Sequence, residues 1–95
     1  MKTGIELIAE ERNRQITKEN WTTEHDDEHD KMELALAAEC YISAAQGMPQ
    51  SDMWPWDRQS YKPSGSIDPM KDLIRAGALI AAEIDRLQRL NSKKK

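Results

Sequence analysis

The chain has no phenylalanine, a single cysteine, and four glycines and four prolines among 95 residues. One thiol excludes both an internal disulfide and a zinc cluster of thiolates. Cys40 lies in an Ala-rich apolar run and reads as a small core residue. Long hydrophobic runs are missing as well: none approaches the roughly 18 residues needed to span a bilayer. The N-terminal residues lack the apolar core of a signal peptide, so a cytoplasmic protein is expected. Positive charge is not in excess. Fourteen Lys and Arg face seventeen Asp and Glu, for a net charge of −3. A nucleic-acid duplex is therefore not an expected partner, and the basic tail at 91–95 is too short to change that. What is present is a high density of charge around clustered apolar residues, the composition of a folded helical protein. A chain of this length buries a modest fraction of its surface. One domain over 1–95 that completes its core by homo-oligomerisation is the expectation.

Periodicity predicts an all-α fold with three helices. The first covers about 5–18, with Ile5, Ile8, Ala9, Arg12 and Ile16 on one face. Its acids come early and its bases late, as the helix dipole favours. The second covers about 26–46, with Thr22 and Thr23 as candidate N-caps and early carboxylates. From Leu34 to Ala45 it is apolar almost all round, apart from a polar line of Glu39, Ser43 and Gln46, and Gly47 is the expected stop. The third covers about 68–90 and opens on Asp68-Pro69, a cap followed by proline at the first helical position. Leu73, Ala76, Gly77, Ile80, Ile84 and Leu87 form its apolar stripe, and Gly77 suits a close approach to the Ala-rich second helix. The connection at 47–67 is long enough to suggest function. It carries Trp54, Trp56 and Tyr61, so it is expected to pack back on the body or to cover a site.

Three groups of residues can carry chemistry. The run from Trp21 to Glu33 holds both histidines and six carboxylates. His25 and His29 fall four residues apart. With Asp26, Asp30 and Glu33 they are candidate metal ligands, magnesium being the ion that suits such carboxylates. The same acids equally suit the start of a helix. A second group is cationic: Arg12, Arg14, Lys62 and Arg75 offer forks and point charges for phosphate oxygens. In the third, Trp54, Trp56 or Tyr61 can stack on a base. No Gly-rich phosphate loop and no nucleophile elbow is present.

The segments Leu7-Ile8-Ala9-Glu10-Glu11-Arg12-Asn13-Arg14-Gln15 and Ala82-Glu83-Ile84-Asp85-Arg86-Leu87, with Trp21, His25 and the Ala-rich helix between them, resemble the small MazG-like proteins of phages and prophages. The resemblance covers the helices and not the aromatic loop. It implies an all-α, often dimeric protein that cleaves nucleoside triphosphates with magnesium. It would place such a protein in the cytoplasm of the host cell. That activity uses a Glu-Glu-x-x-Glu cluster and a later Glu-x-x-Asp. Here Glu39 alone stands for the first cluster, and Asp72 is followed by Arg75 where the second acid belongs. Catalysis would rest on Glu39 and Asp72. The leading expectation is instead a phage-type protein that binds and sequesters a nucleotide or cyclic nucleotide signal, as in counter-defence. A metal-dependent pyrophosphohydrolase and a non-catalytic helical interaction protein are the alternatives.

Overall fold

A computed structural model describes residues 1–93; Lys94 and Lys95, the end of the expected basic tail, lie outside the described residues. The regular elements are α1 (Gly4–Thr17), α2 (Thr23–Asp27), α3 (Glu33–Ala45) and α4 (Pro69–Lys93), with three single turns of 3-10 helix between α3 and α4. The fold is all-α, as the periodicity predicts. Among the described residues no helix is long and apolar enough to cross a membrane.

Local chemistry sets the ends. Thr3 and Glu6 form a capping box at the start of α1: the Thr3 hydroxyl accepts from the Glu6 N–H, and the Glu6 carboxylate accepts from the Thr3 N–H at 2.9 Å. Beyond α1, Asn20 takes a left-handed conformation (φ 63°), and the Trp21 N–H then donates to the Gln15 carbonyl at 3.0 Å. Gly47 (φ 85°) closes α3: its N–H donates to Ala44 and that of Met48 to Ser43, the paired bonds of a Schellman motif. Pro69 is the first residue of α4, and the Asp68 side chain accepts from the Lys71 N–H.

The expected continuous helix at 26–46 is two helices. α2 is capped by Thr22 and ends at Asp27, the chain turns, and α3 restarts after Met32 in a left-handed conformation (φ 64°). The cause is tertiary. Asp26 pairs with Arg12 of α1 at 2.6 Å and Asp27 with Arg89 of α4 at 2.7 Å. One short turn thus ties two other helices together.

The core is built from small residues and rings. α3 buries Leu34, Ala37, Ala38, Cys40, Tyr41 and Ala44, and the opposing face of α4 buries Ala76, Ala78, Leu79 and Ala82. Three polar residues share that face of α4: Asp72, Glu83 and Arg86. Glu83 and Arg86 satisfy one another through a two-bond pair at 2.6 and 3.1 Å. Leu73, Ile80 and Ile84, three of the four large members of the expected stripe, point outward instead and are about half exposed, while Leu87 is partly buried. Small residues on both faces let the α3 and α4 backbones approach, so α4 turns its Ala side inward. Any self-association would use the surface left outside. α1 likewise differs from its expected face. It packs along Ile8, Glu11, Arg12 and Gln15, while Ile5 and Ile16 stay exposed. Gly77 meets Ile8 of α1 rather than the Ala-rich α3: a Cβ there would lie 2.5 Å from the Ile8 Cδ1.

Candidate functional site

All five aromatic residues and both histidines belong to one chain of ring contacts. Trp21 stacks parallel on His25 at 5.9 Å between centroids, His25 meets the edge of His29 at 4.8 Å, and His29 tilts against Trp56 at 4.9 Å. Trp56 meets Trp54, which stacks on Tyr61, and both contact Tyr41. The long connection therefore folds onto α2 and α3. Hydrogen bonds fix it there. The Trp54 indole donates to the Asp57 carbonyl and the Ser60 hydroxyl, and the Tyr61 hydroxyl donates to the Cys40 carbonyl at 2.7 Å. Burial pushes the Tyr61 and Tyr41 hydroxyls above their ordinary pKa, so both serve as neutral donors or acceptors.

Beside Trp21 and Tyr41, the two ends of this chain, lies a cleft of about 520 Å³ between α1, α4 and the returning connection. Arg14, Lys62, Lys71 and Arg75 line it with Glu11 and Glu19, so the lining is net positive in a net-negative protein. Trp21 and Tyr41 supply aromatic walls, and Gln15, Ser60 and Ile74 complete it. Its volume falls in the range of small-molecule sites. Arg14 closes a two-bond fork on Glu11 at 2.7 and 2.9 Å and also binds Glu19 at 2.9 Å. Glu11 foremost, helped by Glu19, raises the Arg14 pKa. Arg75 is held by one nitrogen to the Lys62 carbonyl, the Ser64 hydroxyl and Asp72, with its guanidinium 5.6 Å from the Tyr41 ring centre. Among the described residues, Lys62 and Lys71 form no ion pair with a carboxylate.

The structure sorts the expected site residues. Arg14, Lys62 and Arg75 converge on the cleft. Arg12 does not; its guanidinium is committed to the buried Asp26. Trp54 and Tyr61 are core residues at 7 and 8 % exposure, so they support the cleft wall from behind rather than cover a base. Trp56 is half-buried among Trp21, His29 and Trp54 and does not line the cleft either. Trp21, Tyr41 and Gln15 were not singled out for the cleft by sequence, whereas Lys71 belongs to the cationic residues that sequence offers at the start of α4. Lys71 stands one turn before Arg75 on α4, a spacing that offered the clue.

The acids do not assemble into a magnesium centre. Glu39 is exposed on α3. Both oxygens of Asp72 are engaged: one accepts from the Ser64 N–H (2.8 Å) and Arg75, the other from the Gly65 N–H (2.6 Å). Asp72 therefore anchors the end of the connection to α4, and neither acid lines the cleft. The His-containing run stays close but pairs off, His25 beside Asp26 at 3.5 Å and against the His29 ring. Asp26 faces Arg12, His29 lies 3.5 Å from Glu33, and Asp30 is exposed. Among the described residues, no three His, Cys, Asp or Glu side chains are arranged to hold a metal ion. No family model, curated protein or solved structure matches this chain.

Proposed function

We propose that the chain binds a nucleotide in this cleft and holds it without cleaving it. The observation that carries the reading is the meeting of four cationic side chains with two aromatic walls in one nucleotide-sized depression. Lys62 and Lys71 supply point charges for phosphate oxygens, and Arg75 has guanidinium nitrogens to spare. A base stacks on Trp21, whose ring is braced by His25. Retention without cleavage fits the state of the acids. The two carboxylates in the lining are engaged by Arg14, and Asp72 is spent on backbone N–H groups. No carboxylate set remains aimed at a shared cation beside the phosphates.

Calorimetric titration of nucleoside mono- and triphosphates in the presence of a chelator tests the reading. Binding is expected without divalent cation and should weaken as salt rises. Lys62→Ala and Lys71→Ala should each weaken it several-fold with the fold intact, and no pyrophosphate should appear on incubation. An absence of heat with every nucleotide at millimolar concentration would remove the proposal. Pyrophosphate release dependent on magnesium would restore the hydrolase alternative.

A further inference from the structure

Gln15 is the one buried residue of α1, at 2 % exposure, yet it lines the cleft. Its amide is half used. The Nε2 donates to Glu11 Oε2 at 3.4 Å, while Oε1 is buried with no hydrogen-bond partner among the described residues. Glu11 fixes which end is which. A carboxylate held by the Arg14 fork accepts and cannot donate, so the amide nitrogen must face it and the oxygen must point away. A free glutamine can flip to suit either a donor or an acceptor; this one is poised as an acceptor. It is also adjacent to the stacking wall, because the Trp21 backbone N–H donates to the Gln15 backbone carbonyl.

Resting on the cleft reading above, we infer that Gln15 selects a base carrying an exocyclic amino group at the edge it meets, the edge shared by adenine and cytosine. The amino group donates to Oε1, and the remaining Nε2 hydrogen is free for the unprotonated ring nitrogen beside it on that edge, a two-bond amide pairing of the kind glutamine makes with the other edge of adenine. A base with a carbonyl at that edge, as in hypoxanthine or uracil, sets oxygen against oxygen and leaves a buried acceptor unpaired.

The test uses pairs that differ at this one edge. ATP and ITP differ there by amino against carbonyl and by a bare ring nitrogen against a ring N–H; CTP and UTP form the second arm. In the native chain, ATP is expected to bind at least about tenfold more tightly than ITP, the usual cost of a single unmade buried hydrogen bond, since both bonds at this edge are lost. CTP should show the same preference over UTP. Gln15→Met keeps the shape and removes the acceptor, and it should level both pairs by weakening the amino members. Equal affinity within both pairs in the native chain overturns the inference while leaving the cleft as a nucleotide site. So does discrimination that survives in Gln15→Met. Failure of all four to bind overturns the cleft reading, and the selectivity with it. The native comparison needs no variant, so it stands even if Gln15→Met does not fold.

Discussion

Asp72 shows how a single side chain can look catalytic and be structural. Its sequence position matched a catalytic acid, yet its carboxylate is fully buried and takes two backbone N–H groups from the end of the connection and one guanidinium hydrogen. Removing a buried partner of this kind typically costs about 3–5 kcal/mol, because the cation opposite is left uncompensated. Asp72→Ala is expected to destabilise the protein at the lower end of that range, about 3 kcal/mol, since Arg75 keeps its bonds to the Lys62 carbonyl and Ser64. Urea denaturation reads the change, and a loss under 1 kcal/mol would contradict the anchoring role. Residue identity singled out Arg14, Lys62 and Arg75, and the fold brings all three to one cleft. The diversion of Arg12 to Asp26 was not legible, because it depends on α2 folding back beside α1.

At the scale of elements, punctuation was readable and orientation was not. Asp68-Pro69 and Gly47 mark ends by local backbone chemistry, which sequence displays directly. The break between α2 and α3 leaves no such mark: a methionine adopts the left-handed conformation, and the ion pairs that favour the turn are contacts to other helices. The faces of α4 were misjudged for a related reason. Hydrophobic size favours the stripe through Leu73, Ile80 and Ile84, whereas close helix approach favours the Ala side. The contact between α1 and α4 depends on the same closeness at Gly77. An alanine there gains up to about 1 kcal/mol of helix propensity, but its Cβ would press into Ile8, and overpacking costs about 1–3 kcal/mol. Gly77→Ala is expected to lower stability by about 1 kcal/mol net. In that background Ile8→Ala should cost less than in the native chain, a non-additivity that a double-mutant cycle measures. Strictly additive costs would show that steric contact with Ile8 is not what Gly77 provides.

For the whole molecule, several of the abundant acidic residues act as ties between elements or at helix ends. Glu6 sits below the ordinary carboxylate range because of the Thr3 N–H, and Asp27 because of Arg89. Burial pushes Glu33 up, but the Lys31 N–H, its own backbone and His29 together bring it lower still. Each group is easier to deprotonate in the folded than in the unfolded chain. The unfolded chain therefore binds more protons in acid. Stability is complete above the ordinary carboxylate range and is lost as pH falls through the depressed values. Urea midpoints should drop between pH 6.5 and 3.5, and Asp27→Asn should show a smaller drop; an unchanged midpoint would show that these ties carry no stability. The sequence made the all-α class visible through its periodicity, and it made the return of the connection visible through its aromatic content. It could not show that every ring would join one array. That array also divides the protein optically. α1 and α4 contain no aromatic residue, so ultraviolet absorbance and intrinsic fluorescence are blind to more than a third of the chain. All the light comes from Trp21 just before α2, Tyr41 of α3 and the three rings of the connection, around and behind the cleft. A fluorescence melt follows the detachment of that half, while far-ultraviolet dichroism is weighted toward α1 and α4. The interval between the two curves, if any, is a direct reading of whether the two halves of the fold part company together.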